Sequence, residues 1–250
     1  MLRTAASSDP TMPCTAASSP IGDIIISARP ADDYLAQFAL TEPDLLRGPV
    51  LDCPGGASDF GVHVRALGGR AVSVDPAYGV PPEHVDQRLR ADFHRVTAWT
   101  ATRPDRFPPG PDGRWQRLPR WQSAAQTFLD DYRRDRDEAT GHYLPALLPT
   151  LPFPDRAFAL ATSGFLLFTY PDHFDLAFHL RALRELLRVA DEVRVHPLND
   201  SARTPYPRLD ALCDTLRADG VHVDTLAVES PTDRHDTHSL RLRRPAPRAA

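Results

Sequence analysis

Two carboxylates, each closing a short apolar run, and one glycine turn are the residues best placed to do ligand chemistry in this sequence. Asp52 follows Val50-Leu51 and leads into Cys53-Pro54-Gly55-Gly56-Ala57-Ser58. Glycines in such a turn admit close approach of backbone N–H groups to a ligand, because no Cβ stands in the way. Asp75 follows the second apolar run, Ala71-Val72-Ser73-Val74. A carboxylate there can accept both hydroxyl hydrogens of a ribose. The pair reads as a site for an adenosine-type nucleotide without saying which one. Asp52 discriminates. A carboxylate just before the turn repels a pyrophosphate, and Gly55-Gly56-Ala57-Ser58 does not fit Gly-x-Gly-x-x-Gly. The same carboxylate attracts a ligand that carries an ammonium or a sulfonium.

Candidates for acceptor chemistry are more scattered. His63, His142 and His173 are titratable near neutral pH, although most lone histidines are surface or satisfied polar residues. Tyr34, His142, Phe168, Tyr170 and His173 are the candidates for the acceptor pocket. Arg103, Arg106, Arg114, Arg117 and Arg120, interleaved with Trp115 and Trp121, have the composition of a nucleic-acid-binding face. Asp130, Asp131, Asp135, Asp137 and Glu138 follow soon after and offset them. With a net charge of −4, the balance argues against nucleic acid and against an anionic membrane surface.

The elements that must position these residues follow from apolar runs and breakers. A helix is expected over Asp32 to Phe38, a strand over residues 50–53, a helix from about Ser58 to Leu67 closed by Gly68-Gly69, and a strand over residues 71–74. Strand, turn, helix and strand within so short a stretch make a βαβ unit. Residues 81–141 break the rhythm. They are polar, helix-prone and split by the Pro-Gly-rich stretch 104–113, and they hold all 3 tryptophans, Trp99, Trp115 and Trp121. They read as an inserted helical cap. The rhythm resumes with strands over 143–148 and 157–162. A helix follows, capped at Asp172 with Asp175 three residues on, and ends near Ala190. A strand over 193–195, a helix over 207–218 and a final antiparallel pair over 221–228 and 239–242 complete the pattern.

Composition sets the outer limits. The 250 residues are 42% hydrophobic and 25% charged, ordinary for one soluble α/β domain. All 29 basic residues are arginine, so a lysine Schiff base or lysine general base is excluded. The 3 cysteines, Cys14, Cys53 and Cys213, have neither disulfide-framework nor zinc-ligand spacing, so no metal site is expected and a reducing cytoplasm is. No apolar run approaches a membrane span. Residues 1–20, rich in Ala, Ser, Thr and Pro without an apolar core, read as a disordered leader, and 246–250 as a tail.

Val50-Leu51-Asp52-Cys53-Pro54-Gly55-Gly56-Ala57-Ser58 resembles motif I of class I S-adenosylmethionine-dependent methyltransferases, in the variant of a group of uncharacterised bacterial proteins. Ser73-Val74-Asp75-Pro76 is similar to that group's second motif. Leu151-Pro152-Phe153-Pro154-Asp155-Arg156-Ala157-Phe158 and Arg184-Glu185-Leu186-Leu187-Arg188-Val189-Ala190 resemble the runs leading into its fourth and fifth strands. The resemblance implies a Rossmann-like α/β fold, a seven-stranded sheet with helices on both faces, in one domain over 21–245. It implies S-adenosylmethionine as cofactor, with Asp52, Cys53, Pro54, Gly55, Gly56, Ser58, Asp75, Pro76, Thr150, Leu151, Thr162 and Ser163 around it, and methyl transfer to a small-molecule acceptor. The acceptor atom and the oligomeric state stay open. The sequence departs from the general pattern at Pro54 and Ser58, where glycines are usual, and at Ala159 and Gly164 in and after the fourth strand. A degenerate fold that binds a ligand or partner without turnover is therefore one alternative. A nicotinamide-dependent oxidoreductase is another, opposed by Asp52 and by the glycine spacing. Cys53-Pro54 reverses the Pro-Cys order of cytosine-5 methyltransferases and reads as a small buried filler.

Overall fold

The computed structural model describes residues 23–244; the expected leader and tail, and Cys14, lie outside them. Seven strands, β1 (Val50–Asp52), β2 (Ala71–Val74), β3 (Tyr143–Leu144), β4 (Phe158–Gly164), β5 (Ala190–His196), β6 (His222–Ala227) and β7 (His238–Arg243), form one sheet in the order β3-β2-β1-β4-β5-β7-β6. The first five are parallel. β7 runs antiparallel between β5 and β6. One mixed seven-stranded sheet with helices on both faces bears out the expected α/β class.

Alternation along the buried strands assigns the two faces. Val50, Ala71 and Leu160 pack beneath α1 (Ala31–Gln37), α2 (Glu42–Leu46) and α3 (Phe60–Ala66). Leu51, Ala161, Val193 and Val195 pack on the other face, against α6 (Leu176–Val189) and α7 (Leu209–Ala218). The insertion is helical as expected: α4 (Pro82–Ala101) and α5 (Leu118–Glu138) flank the Pro-Gly stretch. It is anchored rather than loose. Phe128 and Tyr132 of α5 pack with Tyr78 and Tyr143 at the β3 edge of the sheet. Among the described residues no helix is long and apolar enough to cross a membrane.

Several boundaries differ from expectation, each for a local reason. α6 is capped by Asp175, whose carboxylate accepts the Phe178 N–H at 2.6 Å, and not by Asp172, which sits in the preceding turn. β3 stops at Leu144 because Pro145 has no N–H to continue the ladder. β4 runs on to Gly164, beyond the expected end at 162, paired throughout with β5. The short α2 was not foreseen. Its start carries a capping pair, the Asp44 carboxylate accepting from the Thr41 N–H at 3.0 Å and the Thr41 hydroxyl at 2.8 Å.

Candidate active site

The carboxyl ends of β1, β2 and β4 open on a cleft of about 560 Å³. Its floor is Cys53, Pro54 and Gly56 after β1, Asp75 and Pro76 after β2, and Gly164 at the end of β4. That volume suits a ligand of nucleoside size. Its position is where ligands meet an open parallel sheet.

Asp52 lies just under this floor, 1% exposed. Tyr34 donates its phenol hydrogen to Oδ2 at 3.1 Å, and Thr162 donates its hydroxyl to Oδ1 at 3.0 Å. Burial pushes the Asp52 carboxyl up to about 7; the two hydroxyls oppose this, and the neighbouring Asp75 adds to it. Among the described residues it forms no ion pair. Burial, with Asp52 alongside, also holds the Tyr34 phenol well above its ordinary value, so it remains a donor. A desolvated carboxylate with two donors and no cation is costly, and a ligand bringing positive charge relieves it.

The glycine turn corrects one expectation. Its amides do not stand free for a ligand: Gly55 N donates to Val74 O at 2.9 Å, Gly56 N to Asp75 Oδ2 at 3.1 Å, and Ala57 N to Ser27 O at 2.8 Å. The two glycines are required for packing. A Cβ on Gly55 would lie 2.5 Å from Tyr78 Oη, and one on Gly56, at φ +55°, would lie 2.6 Å from Ser27 O. Asp75 also accepts from Ala77 N at 2.9 Å, capping the 3₁₀ turn Pro76–Gly79. Each of its oxygens thus takes one N–H and keeps a lone pair for a hydroxyl. Burial raises its pKa.

The other expected residues divide. Cys53, Pro54, Gly56, Asp75 and Pro76 reach the cleft. Asp52, Gly55 and Thr162 support it from beneath, and Ser58 is buried, accepting from Phe60 N at 2.9 Å to start α3. Ser163 is buried with its hydroxyl unpartnered. Thr150 and Leu151 fall short of the cleft: Leu151 is buried with its N–H on Glu185 at 2.7 Å, and Ala146, Leu147 and Leu148 stand at the edge instead, because the chain leaves the sheet at Pro145. Tyr34 braces Asp52 and stacks on Phe60 at 4.5 Å, so it is no pocket wall. Phe168 belongs to the core, stacked on His179 at 5.3 Å. His142 stands at the start of β3, away from the cleft, with its N–H on Asp135 at 2.7 Å; burial and the Arg65 charge lower its pKa. His173 is exposed and touches the edge of the Tyr170 ring at 5.7 Å. Tyr170 does reach a pocket, the second one.

That second cavity, of about 70 Å³, lies beyond Ile25, Ser27 and Phe165, which line both spaces. The cap supplies Trp99, Trp115 and Trp121, and the loop after β4 supplies Thr169 and Tyr170. Arg29 enters from the segment before α1, its guanidinium 3.0 Å from the Phe165 ring centroid and 4.7 Å from that of Trp121. Neither Arg29 nor the wall Ile24–Ser27 was singled out in the sequence. The only signal was an apolar triplet, Ile24-Ile25-Ile26, with neither strand nor helix periodicity around it. The cap arginines turn to acids: Arg106 pairs with Asp233 at 2.5 Å, Arg117 with Asp33, and Arg120 with Asp32.

No family model matches the chain. An uncharacterised protein of Methanocaldococcus jannaschii is 25% identical over 196 residues, covering 70% of this chain and 78% of that protein. Among solved structures, a magnesium protoporphyrin IX methyltransferase from Synechocystis PCC 6803 with bound SAH is similar over 86% of this chain and 81% of that one, at 11% identity and TM-score 0.47. A glycopeptide N-methyltransferase complexed with sinefungin is similar over 92% and 89%, at 10% identity and TM-score 0.47. A SAM-dependent methyltransferase from Aquifex aeolicus is similar over 85% and 87%, at 13% identity and TM-score 0.40.

Proposed function

We propose that the cleft binds S-adenosylmethionine and that the protein transfers its methyl group to a small-molecule acceptor. The observation that carries this is Asp52, a buried carboxylate at the end of β1 that has no ion-pair partner among the described residues, one strand from Asp75. The residues fit the cofactor at both ends: Asp52 matches an ammonium and Asp75 a ribose diol. A pyrophosphate-bearing nucleotide fits neither the charge at Asp52 nor the turn, whose amides are already engaged. When bound, S-adenosylmethionine supplies a methyl group already activated on a positively charged sulfur. The protein's share is then alignment and exclusion of water. Ile24–Ser27 wall the cleft on one side, and Phe165 and Leu166 on the other. A base is needed only if the attacking atom must lose a proton early. His196, the buried histidine beside Phe165, is a poor candidate: burial and the Arg29 charge drive it down to about 3, which makes the imidazole too weakly basic to take up a proton readily at neutral pH.

Titration calorimetry tests the reading. S-adenosylmethionine and S-adenosylhomocysteine are expected to bind at micromolar levels, and NAD not at all. Asp75→Ala should weaken binding at least tenfold, since two charge-assisted bonds at about 1.5–3 kcal/mol each set the upper scale. Binding of NAD alone, or unchanged affinity in the variant, overturns the assignment.

A further inference from the structure

The cleft wall Ile24–Ser27 has no helix or strand of its own, so its backbone groups must find partners elsewhere. Side chains supply most of them. Arg95 Nη2 donates to Asp23 O at 2.6 Å, and Arg88 Nη2 to Ile24 O at 2.9 Å. Ile25 N–H donates to Tyr170 Oη at 3.3 Å, and Ile26 N–H to Asp92 Oδ2 at 2.9 Å. All of these side chains except Tyr170 belong to the inserted helix α4. Their spacing is the reason. Arg88, Asp92 and Arg95 follow one another at i, i+4 and i+7, which sets them along one helix face. The helix behind them is itself fixed. Its Val85 and Leu89 are buried in one cluster with Phe128 and Leu129 of α5.

Asp92 is the centre of this face. It is 2% exposed. Its Oδ2 accepts from Arg88 Nε at 3.1 Å as well as from Ile26, and its Oδ1 accepts from Arg95 Nη1 at 2.9 Å. A buried ion pair is weak evidence for stability, because well-packed apolar residues of similar volume often serve as well. What an apolar residue cannot do is accept the Ile26 N–H. We propose that Asp92 is a positioning residue of the methyl-transfer site. It stands behind the wall and acts through Ile26, which lines the cleft. The insertion then does more than cap the molecule: through α4 it sets one side of the cofactor cleft. This rests on the cleft being the cofactor site. Without Asp92 the Ile26 N–H turns to water and takes an apolar stretch of the wall with it. A ligand entering the cleft must then reorder the wall, and affinity falls by that cost.

The test compares Asp92→Asn with Asp92→Leu in the full chain. Both remove the charge that Arg88 and Arg95 meet, so any purely structural cost of losing it is common to the two. They differ at Ile26. Arg88 and Ile26 both donate to Oδ2 and Arg95 alone to Oδ1, so an asparagine turns its oxygen to the Ile26 side, whereas leucine has no acceptor. Affinity for S-adenosylhomocysteine, read by calorimetry, should stay within about twofold of wild type in Asp92→Asn and fall about tenfold in Asp92→Leu. The Ile26 amide of the free protein should exchange its hydrogen about tenfold faster in Asp92→Leu alone. An affinity that falls equally in both variants overturns the proposal, because Asp92 would then only brace α4. An affinity that falls in neither overturns it too, because the wall would need no holder. The exchange measurement involves no ligand. A wild-type protein that fails to bind S-adenosylhomocysteine therefore sinks the cofactor reading, while an Ile26 amide indifferent to leucine sinks this one. If Asp92→Leu does not fold, Arg95→Gln replaces it. Arg95 reaches Asp23 O and Asp92 but does not line the cleft, so its effect on affinity must pass through the wall. A loss of about threefold supports the proposal, and an unchanged affinity overturns it.

Discussion

Asp52 puts a carboxyl group in the least hospitable part of the molecule for a charge, with two hydroxyl donors and, among the described residues, no ion-pair partner. Burial pushes its carboxyl up to about 7 in the folded chain, against an ordinary 3.8. The folded state then binds a proton that the unfolded state has lost. Stability therefore falls as pH rises from about 4 to about 7, and the loss is complete above that. Asp52→Asn removes the charge and keeps the shape. Relative to wild type, the variant should gain melting temperature at pH 8, with the difference shrinking as pH falls toward 4.5. The same variant should lose the stabilisation that S-adenosylmethionine confers. Thermal melts across that range with and without the cofactor check both halves; a variant less stable than wild type at pH 8 would mean that the carboxylate is compensated after all. A residue that destabilises the free protein and is relieved by ligand is a common form of the conflict between stability and function.

At the scale of elements, the βαβ unit was legible because Val50–Asp52 and Ala71–Val74 are short apolar runs with a glycine turn and an acid in the expected places. The cap was legible too, because Pro and Gly split an otherwise helix-prone polar stretch. The residues lining the far rim were not. Thr150 and Leu151 were expected there, but Pro145 ends β3 early and brings Ala146–Leu148 forward, and a longer β4 moves the rim from Thr162-Ser163 to Gly164 and Phe165. Ile24–Ser27 was illegible for a different reason. It belongs to no helix or strand, and its place is set by bonds to residues distant in the chain: Ile25 N–H to Tyr170 Oη at 3.3 Å, Ile26 N–H to Asp92 Oδ2 at 2.9 Å and, at the turn, Ala57 N–H to Ser27 O at 2.8 Å. Gly56 is what allows that bond. Gly56→Ala combines a left-handed φ of +55° with a Cβ only 2.6 Å from Ser27 O. The backbone term alone costs about 1–2 kcal/mol. Urea denaturation should show at least that loss, together with weakened S-adenosylhomocysteine binding as the wall is displaced. An alanine variant of wild-type stability would show that the segment sits loosely on the turn.

Across the whole molecule, the insertion behaves as two parts. α5 is fixed to the sheet edge through Phe128 and Tyr132, both essentially unexposed, and through the Arg65–Asp131 ion pair from α3. The loop over 102–117 packs on the cap itself through Phe107 and Trp115, and not on the sheet edge; its ties outside the cap include Arg106 to Asp233, in the loop between β6 and β7, and Arg117 to Asp33. A lid over the acceptor would therefore be this loop and not the whole insertion. Amide hydrogen exchange should find α5 protected in the free protein, while residues 102–117 slow only when cofactor and acceptor are both present. Uniform protection of the entire cap without ligand would make it a rigid accessory body. The arginines of this loop also show why composition alone misleads. The run from Arg103 to Arg120 has the make-up of a nucleic-acid face, but Arg106, Arg117 and Arg120 are turned to Asp233, Asp33 and Asp32. Their acidic partners lie far away in the chain, beyond the reach of any local reading.

The wall shared by cleft and cavity has a thermodynamic corollary. Ile25, Ser27 and Phe165 each face both spaces, so a ligand in the cleft and the cap on the far side meet at one partition. Cofactor binding and the ordering of the cap then contain a common coupling term. By reciprocity, whatever free energy an ordered cap adds to cofactor binding, the cofactor returns to the cap. A measured cooperativity between the two would thus be a property of three side chains and one short stretch of backbone, and substitutions in that partition should change the coupling more than they change either term alone.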